Sequence, residues 1–141
     1  MSKQNKAIAR KVFEDIQSQG NLALVDELVT GDYVGHTPFD DIHGPEGAKQ
    51  FFSRLREAFP NMQVTVEDQI AEGDEVVTRW TFRGTHKGEF QDMSPTSKQV
   101  TMTGITIFRI ASGKIIEGWT NADILGMLQQ LGAVPVPGEA G

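Results

Sequence analysis

The chain has 141 residues, 38% of them hydrophobic and 23% charged, which is the size and balance of one folded domain. Nineteen acidic against thirteen basic side chains give a formal net charge of −6, which repels phosphate backbones and argues against nucleic acid as a partner. The absence of cysteine removes disulfides, thiolate nucleophiles and thiolate metal sites and fits a reducing cytoplasm; with no uncharged run of about 18 residues and no signal-peptide core, neither membrane insertion nor export is expected.

Ile8, Val12 and Ile16 recur at i, i+4 and i+8 with Ala9 and Phe13 beside them, while Lys6, Arg10, Lys11, Glu14 and Asp15 fill the other positions. Residues 4–19 therefore read as an amphipathic helix closed near Gly20. Asn21 suits the N-cap of a short second helix through Leu22, Val25, Leu28 and Val29, ending around Gly31. From Asp32 the run Tyr-Val-Gly-His36-Thr-Pro38 is briefly extended until proline stops it, and a polar loop over 39–44 follows. Pro45 stands where a first-turn proline belongs, and Ala48, Phe51, Phe52, Leu55 and Phe59 keep helical spacing up to the breaker Pro60. That third helix turns an aromatic stripe inward.

Beyond Pro60 the period becomes two. Met62, Val64, Val66 and Ile70 alternate with polar residues, and Asp68 falls on the apolar side as a bulge or an edge residue. Gly73-Asp74 marks a turn, and Val76, Thr78, Trp80 and Phe82 define the inward face of the returning strand. Residues 84–98 are turn-rich. A long strand over 100–110, a tight turn at Ala111-Ser-Gly113 and an antiparallel return over 114–123 follow, and Leu125, Leu128 and Leu131 mark a last helix stopped by Gly132. Helices gathered early and strands late indicate an α+β domain, with helices on one face of a mainly antiparallel sheet. One domain over 1–133 and a frayed tail over 134–141 are expected.

Alternation in the last strand puts Ile115, Glu117, Trp119, Asn121 and Asp123 on one face, so an indole, an amide and an acid point the same way. Asp123 reads two ways. A carboxyl against an apolar wall is tuned toward acid or base work, whereas an aspartate just before Ile-Leu-Gly-Met-Leu is also a good helix N-cap. The roles are partly exclusive, because desolvation raises a carboxyl pKa and backbone N–H bonds lower it.

Taken together, certain segments resemble the SnoaL-like polyketide cyclases, within the wider nuclear-transport-factor-like and ketosteroid-isomerase-like cone fold. They are His36-Thr-Pro ahead of Gly44-Pro-Glu-Gly47, Ala58-Phe-Pro60, Glu72-Gly-Asp74-Glu-Val-Val77, Gly84-Thr-His86-Lys-Gly88, Gly113-Lys-Ile, and Trp119 four residues before Asp123 with Leu131-Gly132 beyond. The likeness runs from the first helix to Gly132. It implies a curved, cone-shaped sheet wrapped against about three helices around a deep apolar pocket, with two copies pairing through the exposed sheet face. It also implies ring closure by intramolecular aldol condensation, without metal or organic cofactor. Asp123 takes the part of the acid or base, and His36 is the better positional match for an assisting histidine, with His86 second.

On this reading the substrate is a small apolar carbonyl compound. Asp123 removes a proton alpha to the carbonyl, His36 bonds to the developing enolate, and Trp119, Asn121, His86, Trp80 and Phe108 line the substrate site. A non-catalytic ligand-binding or dimerisation domain of the same fold, and a related isomerase or hydratase, are the alternatives. Each residue also has a plainer reading. Trp80, Trp119 and Phe108 suit a core, His36 a half-buried side chain bonded to a carbonyl, and His86 and His43 solvated turns. The three histidines give no local zinc signature, and Asp40-Asp41 serve a turn.

Overall fold

A computed structural model describes residues 2–135 and residue 138. The N-terminal apolar spacing forms α1 (Ser2–Lys11), which widens into a π-helical segment, Val12–Ser18, instead of continuing as one α-helix. Asn21 precedes a 3-10 turn (Leu22–Leu24) and α2 (Val25–Leu28) but makes no side-chain capping bond. Next come β1 (Val29–His36), a three-residue β2 (Asp41–His43) and α3 (Gly44–Ala58), with Pro45 in its first turn. Four long strands follow, β3 (Gln63–Glu72), β4 (Glu75–Thr85), β5 (Gln99–Ala111) and β6 (Lys114–Ala122), and then α4 (Ile124–Gln130). The fraying expected over 134–141 falls mostly outside the described residues.

All six strands join one sheet in the order β2-β1-β6-β5-β4-β3. Only the β1–β6 pair is parallel, so the first strand of the chain lies against its last. α1 and the π-helical segment pack on β3 and β4, and α3 packs on β1 and β2. Phe13, Ile16, Phe59, Met62, Phe82 and Ile115 are buried between the layers. Full burial of one such side chain is worth roughly 1.5–3 kcal/mol, so this layer supplies much of the drive to fold. No helix among the described residues is long and apolar enough to cross a membrane.

Two bulges decide which side chains face inward. In β3, Val66 stands opposite Trp80 but Asp68 opposite Arg79, leaving Glu67 as the extra residue. In β6, Ile115 stands opposite Ile110 but Glu117 opposite Arg109, leaving Ile116 extra. One added residue inverts the facing of all that follow it. Ile70, expected inside, is therefore outward and 64% exposed. With Val77, Ile107 and Trp119 it forms a row across four strands on the outer face, each residue opposite the next.

Residues 86–98 form a loop docked on the end of α3. The Lys87 and Gly88 N–H groups both donate to the Ala58 carbonyl, at 2.9 and 3.1 Å, and satisfy an orphan acceptor of the helix terminus. Gly88 is required there, because a Cβ would overlap the Glu57 carbonyl.

Candidate functional site

Between the helices and the concave face of the sheet lies an apolar chamber of about 90 Å³. Val12 and Phe13 of the π-helical segment, Trp80, Phe108 and Met127 contribute to its wall. π-Helical turns recur at functional sites, and this one shares the helical side of the chamber with α3 and α4. Phe39, Ile42, Phe51, Leu55 and Phe90 border both the chamber and a wider, polar antechamber of about 700 Å³, forming the throat between them. The antechamber carries Asp40, Asp41, Glu57, Glu89 and Asp92 against Arg54 and His43, so its field is negative.

Trp80 and Phe108 stand where the sequence expects them, on the chamber wall. The Trp80 indole donates to Thr106 Oγ1 at 3.0 Å, and the Thr106 and Thr120 hydroxyls meet at 2.9 Å. These three polar groups in a largely apolar wall each have a partner.

Trp119 and Asn121 are not in the chamber. The Ile116 bulge turns them to the outer face, and Gly118, Thr120 and Ala122 line the chamber in their place. Trp119 is 38% exposed and stacks on the His36 ring at 5.8 Å between centroids.

His36 reaches the chamber's edge, but both ring nitrogens are occupied: Nε2 by Glu117 at 2.8 Å and Nδ1 by Asp41 at 3.1 Å. The hydrogen bond to Glu117, reinforced by Asp41, raises its pKa above the ordinary 6.5. An imidazolium committed to two carboxylates has no lone pair for a substrate proton. The expected contact of His36 with an enolate is thus replaced by an ion pair on the outer face.

His86 is buried, not solvated, and lies outside the chamber wall. Its Nδ1 accepts from the Thr96 N–H at 3.2 Å and pairs with Thr96 Oγ1 at 3.0 Å, while its ring lies against Phe59. It pins the 86–98 loop to the core.

Asp123 occupies the N-cap of α4, exposed, with Oδ1 accepting from the Gly126 N–H at 2.9 Å. In this conformation the carboxylate does not project into the chamber, which corrects the expected facing. Its two neighbours in sequence, Ala122 and Ile124, do line the chamber.

Sequence reasoning passed over Tyr33, the chain's one tyrosine, which shares a face of β1 with Gly35 and lines the chamber. Among the described residues no three His, Asp or Glu side chains converge as metal ligands.

The family model for SnoaL-like polyketide cyclase matches residues 7–131. The chain belongs to the SnoaL-like polyketide cyclase family. It is 27% identical to a candidate SnoaL-like polyketide cyclase from Jannaschia sp. CCS1, with 95% of each chain covered and a TM-score of 0.87. IdmH of Streptomyces antibioticus, a candidate polyketide cyclase, is 32% identical over 92% of this chain and 99% of its own, with a TM-score of 0.80. AclR of Streptomyces galilaeus, a candidate hydroxylase, is 25% identical over 98% of this chain and 87% of its own, with a TM-score of 0.85. No curated protein sequence matches the chain. The SnoaL-like fold thus carries more than one described chemistry, and reaction type has to be argued from the site.

Proposed function

We propose that the chamber receives a neutral, apolar carbonyl compound and that the chain acts on it as a SnoaL-like cyclase, by proton abstraction alpha to a carbonyl and intramolecular aldol closure. The observation that supports this reading is the seat of Asp123 between Ala122 and Ile124, two residues of the chamber wall. A single backbone amide holds its carboxylate in the cap. Losing such a cap costs about 1 kcal/mol. That is small against the roughly 8 kcal/mol or more by which enzymes lower barriers, so a side-chain rotation that releases the cap supplies the chamber with a base.

The carboxylate then takes the alpha proton, and the C–H electron pair becomes the enolate. The enolate carbon bonds to a second carbonyl carbon of the same molecule, and the resulting alkoxide takes a proton back. Trp80 and Phe108 hold the carbon skeleton in reacting geometry, and the remainder of a larger substrate extends through the throat. The negative antechamber disfavours anionic substrates.

The capping bond itself favours a second reading, ligand binding without chemistry. Deuterium exchange into the alpha positions of cyclohexanone, followed by NMR, separates the two. On the first reading the chain accelerates exchange and Asp123→Asn, which retains a side-chain acceptor for the cap, does not. Acceleration that survives the substitution removes Asp123 from the mechanism; bound ketone with no acceleration leaves binding alone.

The proposal extends to assembly. Two copies pair through the outer face, where Ile70, Val77, Ile107 and Trp119 form an apolar row.

A further inference from the structure

Tyr33 is 8% exposed and borders the chamber, and its phenol oxygen has no hydrogen-bond partner among the described residues. The wall beneath it is glycine on both strands. Gly35 stands opposite Gly118 in the β1–β6 pair, and Cβ atoms at these positions would lie 2.6 Å and 3.3 Å from the Tyr33 oxygen. The two glycines therefore fix where the hydroxyl sits, because alanine at either would press on it.

On β6, two residues past Gly118, Thr120 also lines the chamber. Thr106 is buried and accepts from the Trp80 indole; either oxygen of the Thr106–Thr120 pair, 2.9 Å apart, can donate, and the direction that gives the buried Thr106 proton an acceptor runs from Thr106 to Thr120. That direction leaves the Thr120 proton free for the chamber. Two donors on neighbouring strands thus face a space whose wall is otherwise largely apolar.

We infer that Tyr33 Oη and Thr120 Oγ1 form an oxygen-binding subsite, donating hydrogen bonds to the carbonyl oxygen of a neutral ligand and to the enolate oxygen that replaces it. The inference rests on the chamber as a ligand site and is independent of the role of Asp123. Burial pushes the Tyr33 phenol up to about 12, so it keeps its proton throughout the neutral range and acts as a donor. A donor already desolvated and seated needs no reorganisation when charge develops on the ligand.

The test is a titration of cyclohexanone and of cyclohexane, the oxygen-free control, into the wild-type chain, Tyr33→Phe and Thr120→Val, with the infrared carbonyl stretch of the bound ketone as a second readout. Tyr33→Phe is expected to melt no lower than wild type, to bind the ketone about tenfold more weakly and to bind cyclohexane unchanged. The carbonyl stretch should rise toward its value in an apolar solvent, and Thr120→Val should act in the same direction. Ketone affinity and stretch unaltered by both substitutions would overturn the subsite while leaving the chamber as a ligand site. A parallel loss of both ligands in Tyr33→Phe would overturn it as well, by showing a packing role. Failure of both ligands to bind the wild-type chain would remove the chamber reading and this inference with it.

Discussion

The His36 imidazole and the Glu117 carboxylate meet at 2.8 Å on the outer face of the sheet. They are the middle of a ladder of alternating charge, Asp41, His36, Glu117 and Arg109, that crosses β2, β1, β6 and β5 with an Arg109–Glu117 contact of 2.7 Å. Opposite charges side by side on adjacent strands reinforce register, and this ladder bridges the one parallel pair in the sheet.

The ladder makes stability depend on pH in a defined window. Hydrogen bonding to Glu117 raises the folded pKa of His36, so its contribution is complete below about 6.5 and is lost as pH rises through the raised value. His36 and then Arg109 lower the folded pKa of Glu117, so its contribution is present above about 4.3 and is lost as pH falls through the lowered value. Both act together between those limits. An NMR titration of the His36 ring should give a midpoint above 6.5 that falls back in Glu117→Gln; a midpoint indifferent to that substitution would contradict the ladder.

Asp123 should reveal its cap in denaturation. Asp123→Ala is expected to lose about 1 kcal/mol of stability. Asp123→Asn, another good N-cap residue, should lose a few tenths at most. Urea unfolding measures both, and equal losses would mean that the capping bond contributes little.

Gly104 lies beneath the Trp80 indole, and an added Cβ would overlap the ring. Gly104→Ala is expected to cost roughly 1–3 kcal/mol and to move Trp80 from the chamber wall. Near-ultraviolet circular dichroism and cyclohexanone affinity should change together; a native spectrum with native affinity would show that the wall yields easily.

Light scattering at micromolar protein should give twice the chain mass if the outer row pairs two copies. Ile107→Lys, at the centre of that row, should give the mass of one chain with the melting profile of a folded domain. A single-chain mass for the unaltered protein would reject the pairing.

Much of the fold was legible because its signals were local. Ala48 to Phe59 at helical spacing, the Gly73-Asp74 and Ala111-Ser-Gly113 turns, and the alternation through Val76, Thr78, Trp80 and Phe82 each depend on near neighbours, and each appears in place. What escaped depends on pairing across the sheet. β2 is three residues long, too short for a periodic signal, and only its ladder with β1 defines it. The bulges at Glu67 and Ile116 carry no glycine or proline to announce them, yet they set the facing of Ile70, Trp119 and Asn121. Trp80 and Phe108 lie on β4 and β5, which carry no bulge residue of their own, so simple alternation gives their inward facing. Tyr33 was overlooked because an extended segment of few residues between helices shows no alternation long enough to assign a face.

The bulge in β6 makes the interior a matter of counting. Ile115 pairs with Ile110 and Glu117 with Arg109, so Ile116 is the one residue of the strand without a place in the ladder, and deleting it would straighten the strand while leaving Gly118 and Thr120 on the concave side. Loss of Trp119, past the bulge, has no spare residue to absorb it: Thr120 and Ala122 would turn outward and Asn121 inward, replacing the lining of a space of about 90 Å³. Single deletions in this strand should thus be tolerated best at Ile116 and least beyond Gly118.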